Sequence, residues 1–381
     1  MNNVLDYNKC ANCGACYNAC PTNAITVEKG ELFYSLHIDE KHCISCGLCK
    51  EVCPVNKPLN KQNIVSSWSA IHNDENVVML SSSGGAFSAI ANKVLNMGGV
   101  VYGAAYSEDC MQVDILSTSD VKLEQLCKSK YVESLVGVSF REVKVNLEKG
   151  ITVLYSAAPC QIAGLKRYLK NDYDNLITCD FSCGGMPSHR VFEQYLDGIA
   201  KKLHGKISKV DFRPKIYGWT NHAIKITAEN GKEYKRSAFS DPYFDCFIGN
   251  NRHSTIREYC LSCEFANNHY ADIILADFWK YRQLSKLPKN DKGISLIIAN
   301  SAKGAQIVED LNSVMSLTRL DTEHTMYNLV TKNAGEKTVK RRKAFLEKCE
   351  QEGFWKVTRS MPLRSQFLFK SKYTAKKILG K

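Results

Sequence analysis

The sequence predicts an α+β protein built from three unlike parts: a small cysteine-rich unit at residues 1–60, a mixed-sheet α/β region from residue 68 to about 310, and a basic helical tail over 311–381. Three observations predict it. One cysteine spacing occurs twice within the first 53 residues. From Trp68 onward, segments of helical and strand periodicity alternate. Beyond about residue 301 the pattern turns helical and increasingly basic.

With 381 residues, 44% hydrophobic and 24% charged, the chain is long and apolar enough for two or three folded domains, which excludes disorder, collagen and a membrane bundle. No run approaches the roughly 18 apolar residues that cross a bilayer, and the first ten residues have neither a basic nor an apolar leader region, so a cytoplasmic location is expected. Seventeen cysteines in such a chain fit metal ligation better than disulfides, because the number is odd and the core is already large. The formal charge of +12 is concentrated: residues 331–381 carry 15 Lys/Arg against 4 Asp/Glu. The rest of the chain is close to neutral.

In order along the chain, Cys10, Cys13, Cys16 and Cys20 recur as Cys43, Cys46, Cys49 and Cys53 at a constant offset of 33, each copy ending in Cys-Pro. The apolar-poor stretch Lys57–Asn63 reads as a linker. Phe87, Ile90, Val94 and Met97 predict a helix from Gly84 that stops at Gly98-Gly99, and Val100–Tyr106 and Gln112–Ser117 predict strands. Val136, Phe140, Val143 and Leu147 predict a helix ended by Gly150, followed by a buried strand at Ile151–Tyr155. Helices at Gln161–Leu169 and Ser188–Leu203 enclose a strand at Leu176–Phe181. Ala223–Ala228 and Lys232–Arg236 flank Asn230-Gly231, a hairpin signal, and Ala271–Ala276 and Ile294–Ala299 are apolar enough for buried strands. The central region divides into 68–150 and 151–310, two halves of one domain.

The doubled C-x2-C-x2-C-x3-C-P run is the bacterial two-cluster ferredoxin pattern, in which the fourth cysteine of each run serves the other cluster. Cys10, Cys13, Cys16 and Cys53 are expected to hold one 4Fe-4S cluster, and Cys43, Cys46, Cys49 and Cys20 a second. Three thiolates on one tight turn take three corners of a cubane and a distant cysteine closes the fourth; paired zinc sites have no use for the third close-spaced cysteine. Of the other nine cysteines, only Cys260-Leu261-Ser262-Cys263 has ligand spacing by itself, and it suits half a zinc site, half an iron-sulfur site or a redox pair. Cys110, Cys127, Cys246 and Cys349 read as buried small hydrophobes, as does Cys179 less firmly. Ser81-Ser82-Ser83-Gly84-Gly85 precedes a helix, where unpaired N–H groups suit a diphosphate; an ordinary serine cap with a glycine turn is the alternative.

Several stretches together resemble a known family: Ser82–Ile90, Lys128–Val132, Pro159–Leu165, Asp180–Cys183, Phe212–Lys215, Cys260–Ala266 and Asp272–Trp279. They are similar to the coenzyme F420 hydrogenase/dehydrogenase beta-subunit family over about residues 68–300, here joined to the ferredoxin-like unit. The resemblance implies an iron-sulfur flavoprotein in which the central region is a flavin domain. It implies a third 4Fe-4S cluster on Cys160, Cys183, Cys260 and Cys263, and FAD contacts from Ser82, Ser83, Gly84, Gly85, Lys130 and Tyr131. Two departures bear on the site. Ala157-Ala158 replaces the family's Gly-Thr before Pro-Cys-Gln, and Gly184 stands where the family has His after the Asp-Phe-x-Cys cysteine.

The resulting expectation is an FAD- and iron-sulfur-dependent oxidoreductase that passes electrons from a low-potential donor, ferredoxin or F420, through 4Fe-4S clusters to FAD and on to an organic substrate. The alternatives are an electron-transfer subunit serving a separate catalytic partner, and a non-enzymatic redox sensor or scaffold. For the tail, where Phe367, Leu368 and Phe369 sit among basic residues, the candidates are a solvated face, an acidic partner protein and an anionic membrane surface. Nucleic acid is not expected, since no recognition motif accompanies the charge.

Overall fold

The computed structural model describes residues 9–60, 62–283, 291–321, 334–359 and 361. The two cysteine runs form matching loops, each leading into a short helix, α1 (Ala15–Ala19) and α2 (Leu48–Glu51). Asn12 and Gly14 in the first run and Ser45 and Gly47 in the second all have positive φ, so the two copies share one backbone course at the offset of 33 seen in the sequence. Between them lies the antiparallel hairpin β1 (Ile25–Lys29) and β2 (Tyr34–Ile38).

An eight-stranded mixed sheet organises the rest. Its strands are β3 (Ser66–His72), β4 (Val100–Tyr106), β5 (Val113–Ser117), β6 (Val153–Ser156), β7 (Leu176–Phe181), β11 (Ile273–Asp277), β12 (Ser295–Ala299) and β13 (Met315–Arg319). They lie in the order β13-β3-β12-β11-β7-β6-β4-β5. The centre, β11-β7-β6-β4, is parallel and the flanking pairs are antiparallel. Both halves of the central region supply strands to this sheet. β13 is a correction, because residues 311–381 were expected to be a helical tail and instead begin with an edge strand paired to β3. Its alternation of buried Met315 with exposed Ser316 is a strand pattern, and the excess of basic residues starts only at Lys332.

Helices cover both faces. On one side α3 (Glu75–Leu80) and α4 (Ala86–Asn96) lie near β3 and β4 and α10 (Ala302–Glu309) near β12, and Ile90, Val94, Val101, Leu154, Ile177, Ile297 and Val308 form a core. On the other, α6 (Ser139–Glu148) and α7 (Pro159–Leu169) share a core with Ala11, Cys13, Ala15 and Val52 of the N-terminal unit. The cysteine-rich unit thus has no separate core; it completes one face of the sheet. A second, antiparallel sheet of β8 (Ile207–Phe212), β9 (Ala223–Ala228) and β10 (Glu233–Ser237) packs on α8 (His189–Leu203). The Asn230-Gly231 turn joins β9 to β10, with Gly231 at φ 78°. Two further helices, α11 (Glu336–Glu352) and α12 (Phe354–Thr358), lay Phe345, Leu346, Cys349 and Phe354 into that same core. Between these elements run the short α5 (Leu123–Leu126) and α9 (Pro242–Ile248).

Candidate functional site

The cysteines fall into three groups. In the first, burial pushes the Cys16 thiol up to about 12, with the neighbouring Cys10 and Cys53 thiols adding to the rise, and Cys13 is raised by burial and by Cys16, Cys10 and Cys53. Cys10 is raised by burial, against the pull of the Arg257 guanidinium, and its sulfur accepts from the Asn12 N–H at 3.4 Å. In the second group, Cys49 is raised by burial and by Cys46 and Cys43. Cys20 stands at the end of α1 and lines, with Leu48 and Val52 on either side of Cys49, a cavity of about 570 Å³. The second group faces outward: Cys46 and Ile44 are exposed, whereas Cys13 and Cys16 are buried.

The third group comes from distant sequence. Cys160 lies in the first turn of α7 behind Pro159, Cys183 in the loop after β7, and Cys260 and Cys263 in a 3-10 turn. The loop is laid against that turn by Ser188 N–H donating to Thr255 O at 2.8 Å and Arg257 N–H to Met186 O at 2.9 Å. Burial drives the Cys160 thiol far above its ordinary range, and Cys263, Cys183, Cys260 and Cys13 push in the same direction. A buried set of mutually repelling thiols is stable as thiolate only with multivalent cation bound, which deprotonates them outright. Among the described residues no three His, Cys, Asp or Glu side chains converge tightly enough for a single ion; a cubane sets its thiolates farther apart. The residues therefore fit the expected clusters.

The first and third groups meet where α1 crosses α7. A Cβ at Gly164 would lie 3.0 Å from the Cys13 O, 3.1 Å from its Cβ and 3.2 Å from its sulfur, so any larger residue at that position of α7 would have to shift the loop leading into α1. Buried polar groups fasten the units. Glu133 accepts from Tyr34 N–H at 3.2 Å, from Arg257 at 3.0 Å and bonds His189 Nδ1 at 2.8 Å, and Arg257 also donates to Tyr34 O at 2.6 Å. Arg141 donates to Asn18 O and Tyr17 O, each at 2.8 Å.

Past Cys183 opens a cavity of about 1230 Å³ at the carboxyl ends of the parallel strands, where open α/β sheets bind ligands. Its wall includes Ser82, Ser83, Gly85, Lys130 and Tyr131 from the expected FAD contacts, both alanines Ala157 and Ala158, Cys183 and Gly184. Gly84 has a different position: a Cβ there would sit 2.3 Å from Ala70 O, and its N–H donates to Ser295 Oγ at 2.9 Å, so it is fixed by the approach of β3 and β12. At Gly184 a Cβ would come 2.9 Å from the Phe247 ring, which fills the space that a histidine side chain would need. Cys127, expected as a buried packing residue, is only half-buried and lines the cavity.

The cavity wall carries cation. Lys130 donates to Cys127 O at 2.7 Å, and burial pulls it down to about 8. Arg213, whose backbone has φ 72°, is bidentate to Asp277 at 2.8 and 3.1 Å and donates to Ser82 O at 3.2 Å and Tyr131 Oη at 3.3 Å. Behind the wall, and not itself lining the cavity, Lys215 donates to Ser83 O at 2.7 Å and is pulled down to about 7, by burial first and then by Arg213. Burial, with Arg213, holds His222 at about 3, and its Nε2 is buried with no protein partner among the described residues. The N-terminus of α4, on this wall, has no side-chain cap. Free N–H groups, cations and a volume above the usual small-ligand range suit an anionic dinucleotide, so the residues also fit FAD. Sequence reasoning assigned no role to Arg213, Lys215 or Asp277; their signal was their place in the motifs Phe212–Lys215 and Asp272–Trp279.

Residues 151–323 match the family described as the carboxyl-terminal part of the coenzyme F420 hydrogenase/dehydrogenase beta subunit, and residues 9–57 match the 4Fe-4S dicluster domain. The chain thus joins a 4Fe-4S dicluster domain to a region matching the carboxyl-terminal part of the F420 hydrogenase/dehydrogenase beta subunit. Among solved structures it is similar to a chain of the xenon-derivatized F420-reducing [NiFe] hydrogenase complex from Methanosarcina barkeri, at 14% identity and a TM-score of 0.46, covering 81% of this chain and 98% of that one. No curated protein sequence matches it. The dicluster domain makes this an iron-sulfur protein, and the family of its larger part relates it to oxidoreductases. Among the described residues no helix is long and apolar enough to cross a membrane.

Proposed function

We propose that the protein is an iron-sulfur flavoprotein oxidoreductase that takes electrons from a low-potential donor at its exposed N-terminal thiols and delivers them to an organic acceptor at the large cavity. One observation carries this reading: Cys160 neighbours Cys13 on one side, and Cys183 of the same group lines the cavity on the other. Cys43, Cys46, Cys49 and Cys20 would hold the outer cluster, Cys10, Cys13, Cys16 and Cys53 the buried one, and Cys160, Cys183, Cys260 and Cys263 the third. Iron-sulfur clusters relay single electrons when bound, and FAD converts single electrons to pairs. Lys130, Ser82, Ser83 and the α4 N-terminus would hold the FAD diphosphate, while Arg213 and Asp277 brace that wall. Ferredoxin is the favoured donor and F420 the other candidate.

A second reading, an electron-transfer subunit with a catalytic partner, is favoured by the opening of the cavity. Phe181, Phe239, Ile248 and Trp279 all line it and are all exposed, an apolar rim of the kind that partner proteins cover. Anaerobic purification with iron, sulfide and flavin quantified, followed by reduction with ferredoxin or reduced F420, tests the first reading. A protein that binds iron but no flavin would sink it. Flavin reduction without turnover of any small acceptor, restored by a co-purifying protein, would favour the second.

A further inference from the structure

Asp180 is the last-but-one residue of β7 and lines the large cavity, three residues ahead of Cys183. Its side chain is fully buried. Oδ1 bonds His269 Nδ1 at 2.8 Å, whereas Oδ2 and the His269 Nε2 are both buried with no protein partner among the described residues. Neighbouring buried carboxylates differ. Asp272 is filled by Thr178 N–H at 2.9 Å, Thr178 Oγ1 at 2.7 Å and Ser301 Oγ at 2.7 Å, and Asp241 by Tyr195 at 2.8 Å, Tyr234 at 2.9 Å and Phe244 N–H at 3.0 Å. A buried carboxyl oxygen and a buried ring nitrogen left without partners are costly, which singles this pair out among the residues beside the cavity.

We infer that Asp180 and His269 are a proton-delivering pair for the cavity, with Asp180 handing the proton over and His269 positioning and recharging it. The inference rests on the flavoprotein reading above. Several other groups on the wall are poorly placed for the task, and Lys130 would be engaged by the FAD diphosphate. Phe247 occupies the side-chain space at Gly184, the Arg213–Asp277 pair is locked in two hydrogen bonds, and His222 is held neutral. Burial raises Asp180 against the pull of His269 and of Lys166 on α7. Burial opposes charge on His269, but Asp180 outweighs it, and the imidazole is raised as well. The adjacent Cys179 thiol also faces Asp180 and is raised by burial. Both shifts favour the protonated form of each group. In each reduction the donor loses two electrons, and the acceptor in the cavity gains both together with one proton from Asp180 Oδ2. His269 Nδ1 then returns a proton to Asp180, and solvent entering the cavity restores the proton that the pair has lost.

The test uses anaerobically purified holoprotein with iron and FAD quantified, reduced by dithionite in a stopped-flow instrument. Flavin absorbance and dye-reported proton uptake are followed in H2O and D2O between pH 6 and 9. Asp180→Asn and His269→Gln should slow the proton-linked phase by on the order of 10²-fold and abolish its solvent isotope effect, with iron and FAD content unchanged. His269→Gln keeps a donor to Asp180 but cannot relay a proton, so it carries the test if Asp180→Asn folds poorly. Full FAD occupancy with wild-type rates and isotope effects in both variants overturns the pair alone. A wild-type holoprotein that lacks FAD overturns the flavoprotein reading and the pair with it.

Discussion

Lys130 on the cavity wall and Lys215 behind it give the protein a pH dependence of known sign. Both are held far below an ordinary lysine, at about 8 and about 7, chiefly by burial. Between pH 6 and 9 the folded protein sheds these protons while the unfolded chain keeps them. The unfolded state then binds more protons than the native one, so stability of the cofactor-free protein should rise over about pH 7 to 10. Retention of FAD should move the opposite way, falling from about pH 7 to 9 as Lys130 on the cavity wall discharges. Ultrafiltration across this range reads the second effect and urea denaturation the first, and Lys130→Met should flatten the FAD profile. At the cysteines, Cys183→Ser should remove about four irons per chain and leave the N-terminal clusters' EPR signals in place. Unchanged iron content would mean that Cys160, Cys183, Cys260 and Cys263 only pack together.

Between elements, the contacts that seat the N-terminal unit are specific enough to break one at a time. Gly164 on α7 lies so close to Cys13 that a Cβ there would come within 3.0 to 3.2 Å of its atoms. Gly164→Val should therefore push α1 away and slow electron transfer from the first cysteine group to the third, with iron content retained; freeze-quench EPR after mixing with reduced ferredoxin reads the order in which the clusters fill. The Glu133–Arg257 contact at 3.0 Å is fully enclosed. Glu133→Ala strands a buried guanidinium and should cost about 3–5 kcal/mol in urea denaturation. Arg257 and the buried Arg342 of α11 both stack over Phe33 in the turn between β1 and β2, at 5.2 and 5.6 Å, so α11 takes part in holding the hairpin. A helix that closes a core in this way is not a free docking tail.

For the whole molecule, that placement redefines where a docking tail could begin. Removing everything after residue 335 would strip Arg342, Phe345, Leu346, Cys349 and Phe354 from the core and should unfold that side of the protein. Ending the chain after Met361 spares them and deletes Arg364, Lys370, Lys372, Lys376 and Lys377 with Phe367, Leu368 and Phe369, which lie outside the described residues. If those residues dock a soluble donor, this truncation should lower the bimolecular reduction rate at low salt and flatten its salt dependence. If they dock a membrane, only the full chain should co-sediment with anionic vesicles. A truncated chain that matches the full one in both assays leaves a solvated face.

The sequence by itself determined the two N-terminal cysteine groups, because their ligand spacing and loop glycines are local: one turn of backbone carries three thiols, and Gly14 and Gly47 have the left-handed φ that such a turn demands. It likewise determined the strands Val100–Tyr106 and Leu176–Phe181 and the Asn230-Gly231 hairpin, where period and turn chemistry lie within a few residues. The third cysteine group was legible only through family resemblance, since Cys160 and Cys263 are about a hundred residues apart and nothing local brings them together. Tertiary structure alone decided what surrounds the cavity. Arg213 meets Asp277 across 64 residues, Asp180 meets His269 across 89, and Phe247 fills the space beside Gly184. Such pairings arise when a parallel sheet gathers the carboxyl ends of strands distant in the chain at one edge, a convergence that no periodicity along the sequence encodes.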